Sequence, residues 1–405
     1  MKKVVLLFPG QGSQMVGMGK WFYDHHPIAK QTFEEANDIL GWNIADTCFY
    51  GSLEELTSTD IAQPALMTTS IAMYRVYMEE FGLRPFAAAG HSLGEYTALC
   101  SAGSISFEDA LKLVDFRGKT MKAAAELGLG TMIAVGGIDY LTVEEQLTKL
   151  VQSKEEACIA CYNGPFQVVI SVSYSALEQV ASYFRKIGAK VTNLQVGAAF
   201  HHPFMQSAAD QLKHELEQIQ VGALQYKVLS NVTGHAIDLK KQSLVEELTL
   251  QMTEPVRWNK SMNILQYLGV EMAIEMGPKT VLKQLWKSHA AIEAIAYNVT
   301  EDRKQLAIKL TNKTSRPMRY HHPLSKFLAI AASTPNYNVN TQKVKADVIE
   351  PYQQLLQLHS QLEQVNKQPS EKEVQQGRQW LETILQSKGI PLEEQLDRFS
   401  EVDSI

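Results

Sequence analysis

The sequence predicts an α/β protein with a large α/β domain, a small inserted subdomain and a helical C-terminal extension. Strands, sharp turns and helices alternate on both sides of the middle region, a pattern typical of α/β domains. The middle region has the order β-α-β-β-α-β, which is ferredoxin-like. After about residue 311 the composition changes and two helices follow. We expect a large domain of residues 1–128 and 197–310, a ferredoxin-like subdomain of 129–196, a linker or strap of 311–345 and a helical extension of 346–405.

The large domain opens with a short apolar strand at residues 3–8 and a turn of small and amide side chains at 9–14. Apolar residues then recur at intervals of three and four, which predicts helices with one buried face. A short buried strand leads into a turn near residue 92. The predicted elements are helices 27–40 and 65–80, strand 85–92, and helices 94–102 and 107–126.

The inserted subdomain and the return to the large domain continue this alternation. In the subdomain we predict strands 131–136, 157–161, 167–172 and 190–195, with helices 142–152 and 174–186. After it we predict helix 205–218, strand 227–230, helix 244–252 and strand 272–275.

The C-terminal extension begins with a stretch at 314–341 that is rich in proline and small polar residues. In the first helix beyond it, Leu355, Leu358, Leu362 and Val365 are spaced 3-4-3, a seam too short to be a stable coiled coil alone. The second helix starts with a capping-box pattern, Ser370 with Glu373, and ends before a glycine and a proline, Gly389 and Pro391. We interpret this extension as a structural brace or a docking element.

Composition limits the class of protein. The 405 residues are 45% hydrophobic and 20% charged, which is ordinary for a globular protein. A net charge of -6 argues against a general nucleic-acid or membrane-surface binder. The N-terminal apolar run is shorter than a secretory signal requires, and no stretch reaches the length of a membrane span. We predict a cytoplasmic protein.

Cysteine and histidine patterns do not predict a metal site. Cys158 and Cys161 have CxxC spacing, but they lie in a predicted strand, where residues three apart point to opposite faces. We assign no metal to the histidine pairs 25–26 and 321–322. We therefore expect free thiols and no metal.

The strongest local signal is the sequence GHSLG at residues 90–94. A GxSxG pattern between a strand and a helix exposes its serine at a sharp turn, as in the nucleophile elbow of α/β-hydrolases. The N–H groups at the following helix N-terminus can stabilise an oxyanion. Alone, the five-residue pattern fits an ordinary turn as well. The apolar strand before it and the helix after it favour Ser92 as a nucleophile in an α/β-hydrolase-like domain.

Successive motifs give a specific resemblance. They are FPGQGSQ at 8–14, QPA at 63–65, GHSLGE at 90–95, RG at 117–118, NGP at 163–165, FH at 200–201, a glutamine at 251 before EPVRW at 254–258, and EMGP at 275–278. In this order they resemble the malonyl-CoA:acyl-carrier-protein transacylases and the acyltransferase domains of polyketide and fatty-acid synthases. The resemblance covers about residues 1–310.

The resemblance implies a role for each matching residue. Ser92 resembles the acylated serine, and His201 resembles the histidine that takes its proton and later activates the incoming thiol. Gln251 resembles the residue whose backbone carbonyl orients that imidazole. Gln11 and Leu93 resemble the pair whose backbone N–H groups form the oxyanion hole. From the residues alone His202 competes with His201, and a methionine four residues after position 201 fits the family motif.

The resemblance also implies a pocket for a dicarboxylic acyl group. Arg117 resembles the arginine that grips the free carboxylate of a malonyl group, because a guanidinium can form two parallel bonds to a carboxylate. As a helical residue it could also be a solvated charge. We place Gln63, His91, Asn163 and Phe200 around this pocket. Gln63 and Asn163 fit turn-stabilising amides equally well.

Substrate choice is narrowed by the sequence AFH at 199–201, which resembles the form found in malonyl-selective polyketide acyltransferases. The preceding Gly197 and Ala198 depart from the commoner pattern and leave room for a small hydroxy or amino α-substituent. The donor would then be bound to a carrier protein and not to coenzyme A.

Three functions follow from these residues. The first is transfer of a malonyl-type group from a coenzyme A or carrier-protein thioester to an acyl carrier protein. The second is hydrolysis of stalled carrier-protein thioesters, against which Arg117 argues. The third is an idle docking module, against which an intact Ser92, His201 and Arg117 argue. The extension favours polyketide or related secondary-metabolite assembly, with residues 311–405 available for other synthase modules. No bound cofactor is expected, because the pantetheine arm arrives with the substrate.

Overall fold

The computed structural model describes residues 3–240, 243–287, 292–311, 324, 327–328, 330–331, 334, 343, 345–364, 369–391 and 395. The chain forms two compact units, residues 1–312 and 313–405. Each unit is described by itself. The finer domain boundaries that we expected from the sequence stay a prediction.

The centre of the first unit is a parallel sheet of five strands. They are β1 (Val4–Phe8), β2 (Ala87–Gly90), β7 (Lys227–Leu229), β8 (Met272–Glu275) and β9 (Glu293–Ala296), in the order β7-β2-β1-β8-β9. Every residue of β1, β2 and β8 is buried. β1 and β2 are continuous apolar runs, and β8 is apolar up to Glu275, because helices cover both faces of a parallel sheet. The carboxyl ends of β1 and β2 meet where Phe8 pairs with Gly90.

The second sheet of this unit is antiparallel and has four strands, β3 (Gly130–Gly136), β4 (Ala157–Gly164), β5 (Gln167–Ser173) and β6 (Lys190–Asn193), in the order β4-β5-β3-β6. Two helices, α8 (Tyr140–Leu150) and α9 (Leu177–Lys186), complete the order β-α-β-β-α-β. Its apolar core includes Ile133, Val168 and Phe184 and is separate from that of the parallel sheet. The predicted large α/β domain with a ferredoxin-like insertion is confirmed.

The remaining helices of the first unit surround the parallel sheet. They are α1 (Lys20–His25), α2 (Pro27–Leu40), α3 (Ile44–Tyr50), α4 (Leu53–Thr57), α5 (Thr59–Phe81), α6 (Leu93–Ser101), α7 (Phe107–Glu126), α10 (Gln206–Leu216), α11 (Leu244–Leu250), α12 (Trp258–Tyr267), α13 (Val281–Lys287) and α14 (Thr300–Thr311). The predicted start of α5 at residue 65 was wrong. The helix begins at Thr59 and carries Pro64 inside it. A proline usually marks the first turn of a helix, but burial on almost all sides of α5 outweighs this preference.

The cysteine pair lies in β4, as predicted, although a register irregularity between Ile159 and Cys161 breaks strict alternation there. All four cysteines are free. Burial raises the pKa of both Cys158 and Cys161 to about 12, so both are thiols at neutral pH. Among the described residues no group of histidine, cysteine and acidic side chains is arranged to hold a metal ion.

The described residues of the second unit include a π-helical turn, Lys345–Ile349, and the helices α15 (Glu350–Gln364) and α16 (Glu371–Ser387). The capping box at the start of α16 is confirmed, with Ser370 and Glu373 each bonding the other's backbone N–H. In the predicted seam Leu355 and Leu362 are buried, whereas Val365 lies outside the described residues. Four side chains from the expected linker or strap are also buried in this unit's core: Leu324, Phe327, Ile330 and Ala331. Histidines 321 and 322 lie outside the described residues.

Within the described part of the chain, no helix is both long and apolar enough to span a membrane.

Candidate active site

Ser92 stands in the turn between β2 and α6 with a φ of 52° and a ψ of -111°. A non-glycine residue rarely adopts a positive φ, and such strain is typical of functional sites. The glycines on either side make the turn this tight. A Cβ added at Gly90 would lie 1.8 Å from the Gly94 carbonyl carbon, and one at Gly94 would lie 2.0 Å from the Phe8 carbonyl oxygen. Both positions therefore require glycine, and the serine projects from the bend.

Asn231, in the segment after β7, holds the two sides of this bend together. Its Oδ1 accepts a 2.7 Å hydrogen bond from the Ser92 N–H, and its Nδ2 donates a 2.6 Å bond to the Gly90 carbonyl. The side chain is 3% exposed. One buried amide thus bonds the backbone on both sides of the strained turn. Asn231 is not among the site residues predicted from the sequence, because it lies in none of the motifs described above.

The His201 imidazole lies between Ser92 and Gln251. Its Nε2 is 2.8 Å from Ser92 Oγ, and its Nδ1 is 2.8 Å from the Gln251 backbone carbonyl oxygen. A carbonyl only accepts, so Nδ1 carries the hydrogen and Nε2 is free to accept the serine proton. The structure thus brings together the serine, the imidazole and the carbonyl that the resemblance implied.

The environment of His201 keeps its imidazole neutral. Burial, followed by the positive charge of Arg117, lowers the pKa of His201 to about 3, although the Gln251 carbonyl opposes the shift. Its neighbour His202 is also buried, and its Nδ1 accepts from the Phe204 N–H. Of the two adjacent histidines, only His201 contacts Ser92. A neutral imidazole beside a serine hydroxyl can act as a general base.

Arg117 projects from α7 into the same site and is 1% exposed. Its Nη2 donates to Ser92 Oγ and to Gln251 Oε1, both at 3.1 Å, and its Nη1 donates to Gln63 Oε1 at 2.6 Å. Its Nε has no hydrogen-bond partner among the described residues. Burial lowers the pKa of Arg117, against the opposing effects of Tyr96 and Glu95. A buried guanidinium that is bonded only to neutral acceptors is suited to a ligand carboxylate, because a buried charge needs an opposite charge close by.

The remaining predicted pocket residues lie around this centre. The Gln63 amide donates to Met121 Sδ at 3.3 Å as well as accepting from Arg117. His91 Nε2 is 2.8 Å from Asn163 Oδ1, which joins the bend to strand β4. Phe200 directly precedes His201 and is buried, and its carbonyl accepts from the Ser171 hydroxyl.

The two predicted oxyanion-hole residues flank the bend. A Cβ added at Gly10 would lie 2.5 Å from the His91 carbonyl oxygen, so the turn that carries Gln11 packs against residues 90–94. Leu93 is the first residue of α6, where backbone N–H groups have no acceptor within the helix. Neither the Gln11 nor the Leu93 N–H donates to a backbone acceptor in the described residues. An open cleft of about 540 Å³ lies beside Gln11 and is also lined by Thr59, Lys122 and Gly197.

The profile of the acyl transferase domain matches residues 5–307. The chain belongs to the acyl transferase family. This confirms the resemblance that the motifs indicated, and the protein is an acyltransferase. A malonyl CoA-acyl carrier protein transacylase of Bacillus subtilis is 36% identical over 397 residues, which is 98% of this acyltransferase and 99% of the relative.

Other relatives match a smaller share of this acyltransferase. The malonyl CoA-acyl carrier protein transacylase of Escherichia coli K12 is 38% identical over 288 residues, which cover 71% of this chain and 93% of the relative. A malonyl-transacylase solved in complex with a type II PKS acyl-carrier protein is 35% identical with a TM-score of 0.72, covering 77% of this chain and 100% of that one. The Bacillus subtilis relative, by contrast, extends through the second unit.

Proposed function

We propose that this acyltransferase moves a malonyl-type group from a thioester donor, through an ester on Ser92, to the phosphopantetheine thiol of an acyl carrier protein. The observation that carries the proposal is the position of Arg117, whose Nη2 lies 3.1 Å from the Ser92 Oγ that His201 contacts. A nucleophile, a base and a carboxylate-binding group thus converge within hydrogen-bond distance. The names of the relatives and the solved carrier-protein complex support the same reaction.

In the first half-reaction His201 Nε2 takes the proton from Ser92 Oγ as the oxygen attacks the thioester carbonyl. The negative charge that develops on the carbonyl oxygen is stabilised by the N–H groups of Gln11 and Leu93. The carbon–sulfur bond then breaks, and the departing thiolate takes the proton from His201. The free thiol leaves, and the malonyl group remains as a serine ester.

In the second half-reaction the same groups work in reverse. The thiol of the carrier's pantetheine arm gives its proton to His201 Nε2, and its sulfur attacks the ester carbonyl. The oxyanion again forms beside Gln11 and Leu93. When the carbon–oxygen bond breaks, Ser92 Oγ takes the proton back from His201. One imidazole serves both directions, and the Gln251 carbonyl keeps its Nδ1–H in place throughout.

Arg117 selects the donor in this scheme. In a malonyl thioester a single methylene separates the free carboxylate from the reacting carbonyl. A carboxylate on the Arg117 guanidinium therefore places that carbonyl beside Ser92 Oγ. Gln63 accepts a hydrogen bond from the guanidinium, and the buried Phe200 directly precedes His201. An acetyl donor would leave the buried charge unpaired.

We further propose that the reaction serves polyketide or related secondary-metabolite assembly in the cytoplasm. The Bacillus subtilis relative matches 98% of this chain and the Escherichia coli relative 71%, and an additional region that relatives share unequally supports a specialised role. Four free cysteines suit a reducing compartment. An α-hydroxy or α-amino malonyl unit on a carrier protein is the second candidate donor, because the small residues Gly197 and Ala198 precede the AFH sequence at 199–201.

Intact-protein mass spectrometry tests the proposal. The wild type, mixed with malonyl-CoA, should gain the mass of one malonyl group, and peptide mapping should place it on Ser92. Two controls accompany this test: acetyl-CoA should acylate the enzyme much more slowly, and free coenzyme A should give no adduct. Adding a carrier protein with its pantetheine arm should discharge the adduct and move the malonyl group to the carrier. Discharge to free malonate would instead indicate a hydrolase. An absent adduct with both malonyl-CoA and carrier-bound malonyl donors would contradict the proposal.

The lowered pKa of His201 predicts an unusual pH profile. The rate of Ser92 malonylation should stay level between about pH 5 and 7, because an imidazole with a pKa of about 3 remains a base there. Stability should fall as the pH drops below about 6.5, since the unfolded histidine binds a proton that the folded one does not. Stopped-flow acylation and thermal melts across this range measure both effects. A loss of rate centred near pH 6.5 would show that His201 titrates as an ordinary histidine.

A further inference from the structure

Glu95 is a buried carboxylate one turn after Ser92, and the reaction proposed above does not use it. It is 0% exposed and lies in the first turn of α6. Its Oε1 accepts from the Asn231 backbone N–H at 3.2 Å, and its Oε2 accepts from Gln251 Nε2 at 2.7 Å. Burying a carboxylate raises the free energy of the folded state unless its interactions compensate for the lost hydration. This position therefore calls for an explanation.

The two partners of Glu95 are the residues that fix the site. The Asn231 side chain bonds both the Ser92 N–H and the Gly90 carbonyl. The Gln251 backbone carbonyl orients His201. The side-chain amide of Gln251 accepts from Arg117 through Oε1 and donates to the Ser92 carbonyl through Nε2. Glu95 thus touches neither the nucleophile's oxygen nor the base, but it bonds the residues that hold both.

The orientation of the Gln251 amide depends on this carboxylate. An amide has an oxygen side and an NH₂ side, and the acceptor at Glu95 Oε2 draws the NH₂ side toward itself. The oxygen side must then face Arg117, which needs an acceptor. With the amide reversed, Nε2 would face the guanidinium and two donors would oppose each other.

We propose that Glu95 is a positioning residue for donor selection. It fixes the Gln251 amide so that Arg117 is held at Ser92 in the geometry that receives the donor's carboxylate. This inference rests on the proposed function of the site. Burial and the nearby Glu247 raise the pKa of Glu95 to about 8, although the N–H donors on both oxygens and the Arg117 charge oppose the rise.

Replacing Glu95 by glutamine tests the role at constant size. Two donors point at the side chain, and a carboxamide has a single oxygen to accept them. In one orientation the NH₂ group of the new amide faces the Asn231 N–H, and in the other it faces Gln251 Nε2. Two donors face each other in either case. In Glu95→Gln we expect the rate of Ser92 malonylation to fall about 10- to 100-fold. The rate with acetyl-CoA should change much less, because that donor does not use Arg117. The ratio of malonyl to acetyl acylation should therefore fall about tenfold or more.

Glu275→Gln is a matched control. Glu275 is 1% exposed, and its two oxygens accept one backbone N–H each, from Leu282 and Lys283. It resembles Glu95 in burial and bonding but does not contact Gln251 among the described residues. We expect Glu275→Gln to lower the melting temperature without changing the malonyl-to-acetyl ratio. In an Arg117→Ala background, Glu95→Gln should no longer alter that ratio, because the group it positions is gone.

Failure of the positioning role of Glu95 can be distinguished from failure of the proposed transferase reaction. Equal losses with both donors in Glu95→Gln, or a ratio matching that of Glu275→Gln, would overturn the positioning role while leaving the transferase intact. A wild type that forms no malonyl ester would overturn both. If Glu95→Gln does not fold, Glu95→Asp provides the second test, since it keeps the carboxyl group but withdraws its oxygens by about 1.5 Å. It should lower the same ratio, and an unchanged ratio would refute the inference.

Discussion

The Ser92→Ala variant should form no malonyl ester, and its rate of transfer to a carrier protein should fall at least about 10⁴-fold. The reason is chemical, because alanine has no oxygen to form the ester. His201 and Arg117 would remain in place but would have no nucleophile to act on. Intact-protein mass spectrometry measures the first effect, and an assay of malonyl-loaded carrier measures the second.

The control for this variant concerns the strained backbone. Ser92 has a positive φ, which glycine adopts without strain. Ser92→Gly should therefore be as inactive as Ser92→Ala but more stable in thermal melts. Both variants should bind malonyl-CoA with an affinity close to that of the wild type, as measured by calorimetry, because Arg117 is intact. An ester that persists in either variant would show that another residue is the nucleophile.

The Arg117→Ala variant should reverse the donor preference of the enzyme. Its acylation by malonyl-CoA should fall about 10²- to 10³-fold, as expected when a charge-assisted, bidentate contact to the substrate is lost. Acylation by acetyl-CoA should rise or stay level, since the unpaired buried charge has been removed. Parallel acylation rates with the two donors give the result directly.

A second variant, Arg117→Lys, and the pH profile of Arg117→Ala complete the Arg117 experiment. Arg117→Lys keeps the charge but lacks the planar fork, so its malonyl rate should lie between those of Arg117→Ala and the wild type. Loss of the positive charge should also raise the pKa of His201, and the acid limb of the pH profile should move toward neutrality in Arg117→Ala. A malonyl preference that survives in Arg117→Ala would place the carboxylate elsewhere.

Local signals in the sequence predicted many elements well. Helices α2 and α7 lie at the residues predicted, because their ends are chemically marked. Pro27 occupies the first turn of α2 and Gly41 ends it in the left-handed conformation. Ser106 caps α7 by accepting from the Asp109 N–H. Where such markers are weak or the pattern is short, as in α12, β9 and α14, no element was predicted.

The site was only partly accessible from the sequence. Motifs predicted Ser92 and His201, and in the structure Ser92 Oγ lies 2.8 Å from His201 Nε2. Asn231 and the bonds of Glu95 were not visible, because they depend on contacts between distant parts of the chain. Asn231 is 139 residues from the serine whose N–H it binds. A polar residue directly after a buried strand is the one signal that pointed to it, and that signal is common.

The position of β1 in the sheet has a consequence for how the enzyme is made. Val5 pairs with Ala87 on one side and with Ala273 on the other. The central strand therefore completes its pairing only after a segment near the far end of its unit has been synthesised. Contacts this distant in sequence form slowly and late. During synthesis Ser92, Glu95 and Arg117 leave the ribosome long before β8 has been made. We therefore expect the nascent chain to acquire activity only after β8 has emerged, and shorter fragments to be inactive and prone to aggregation.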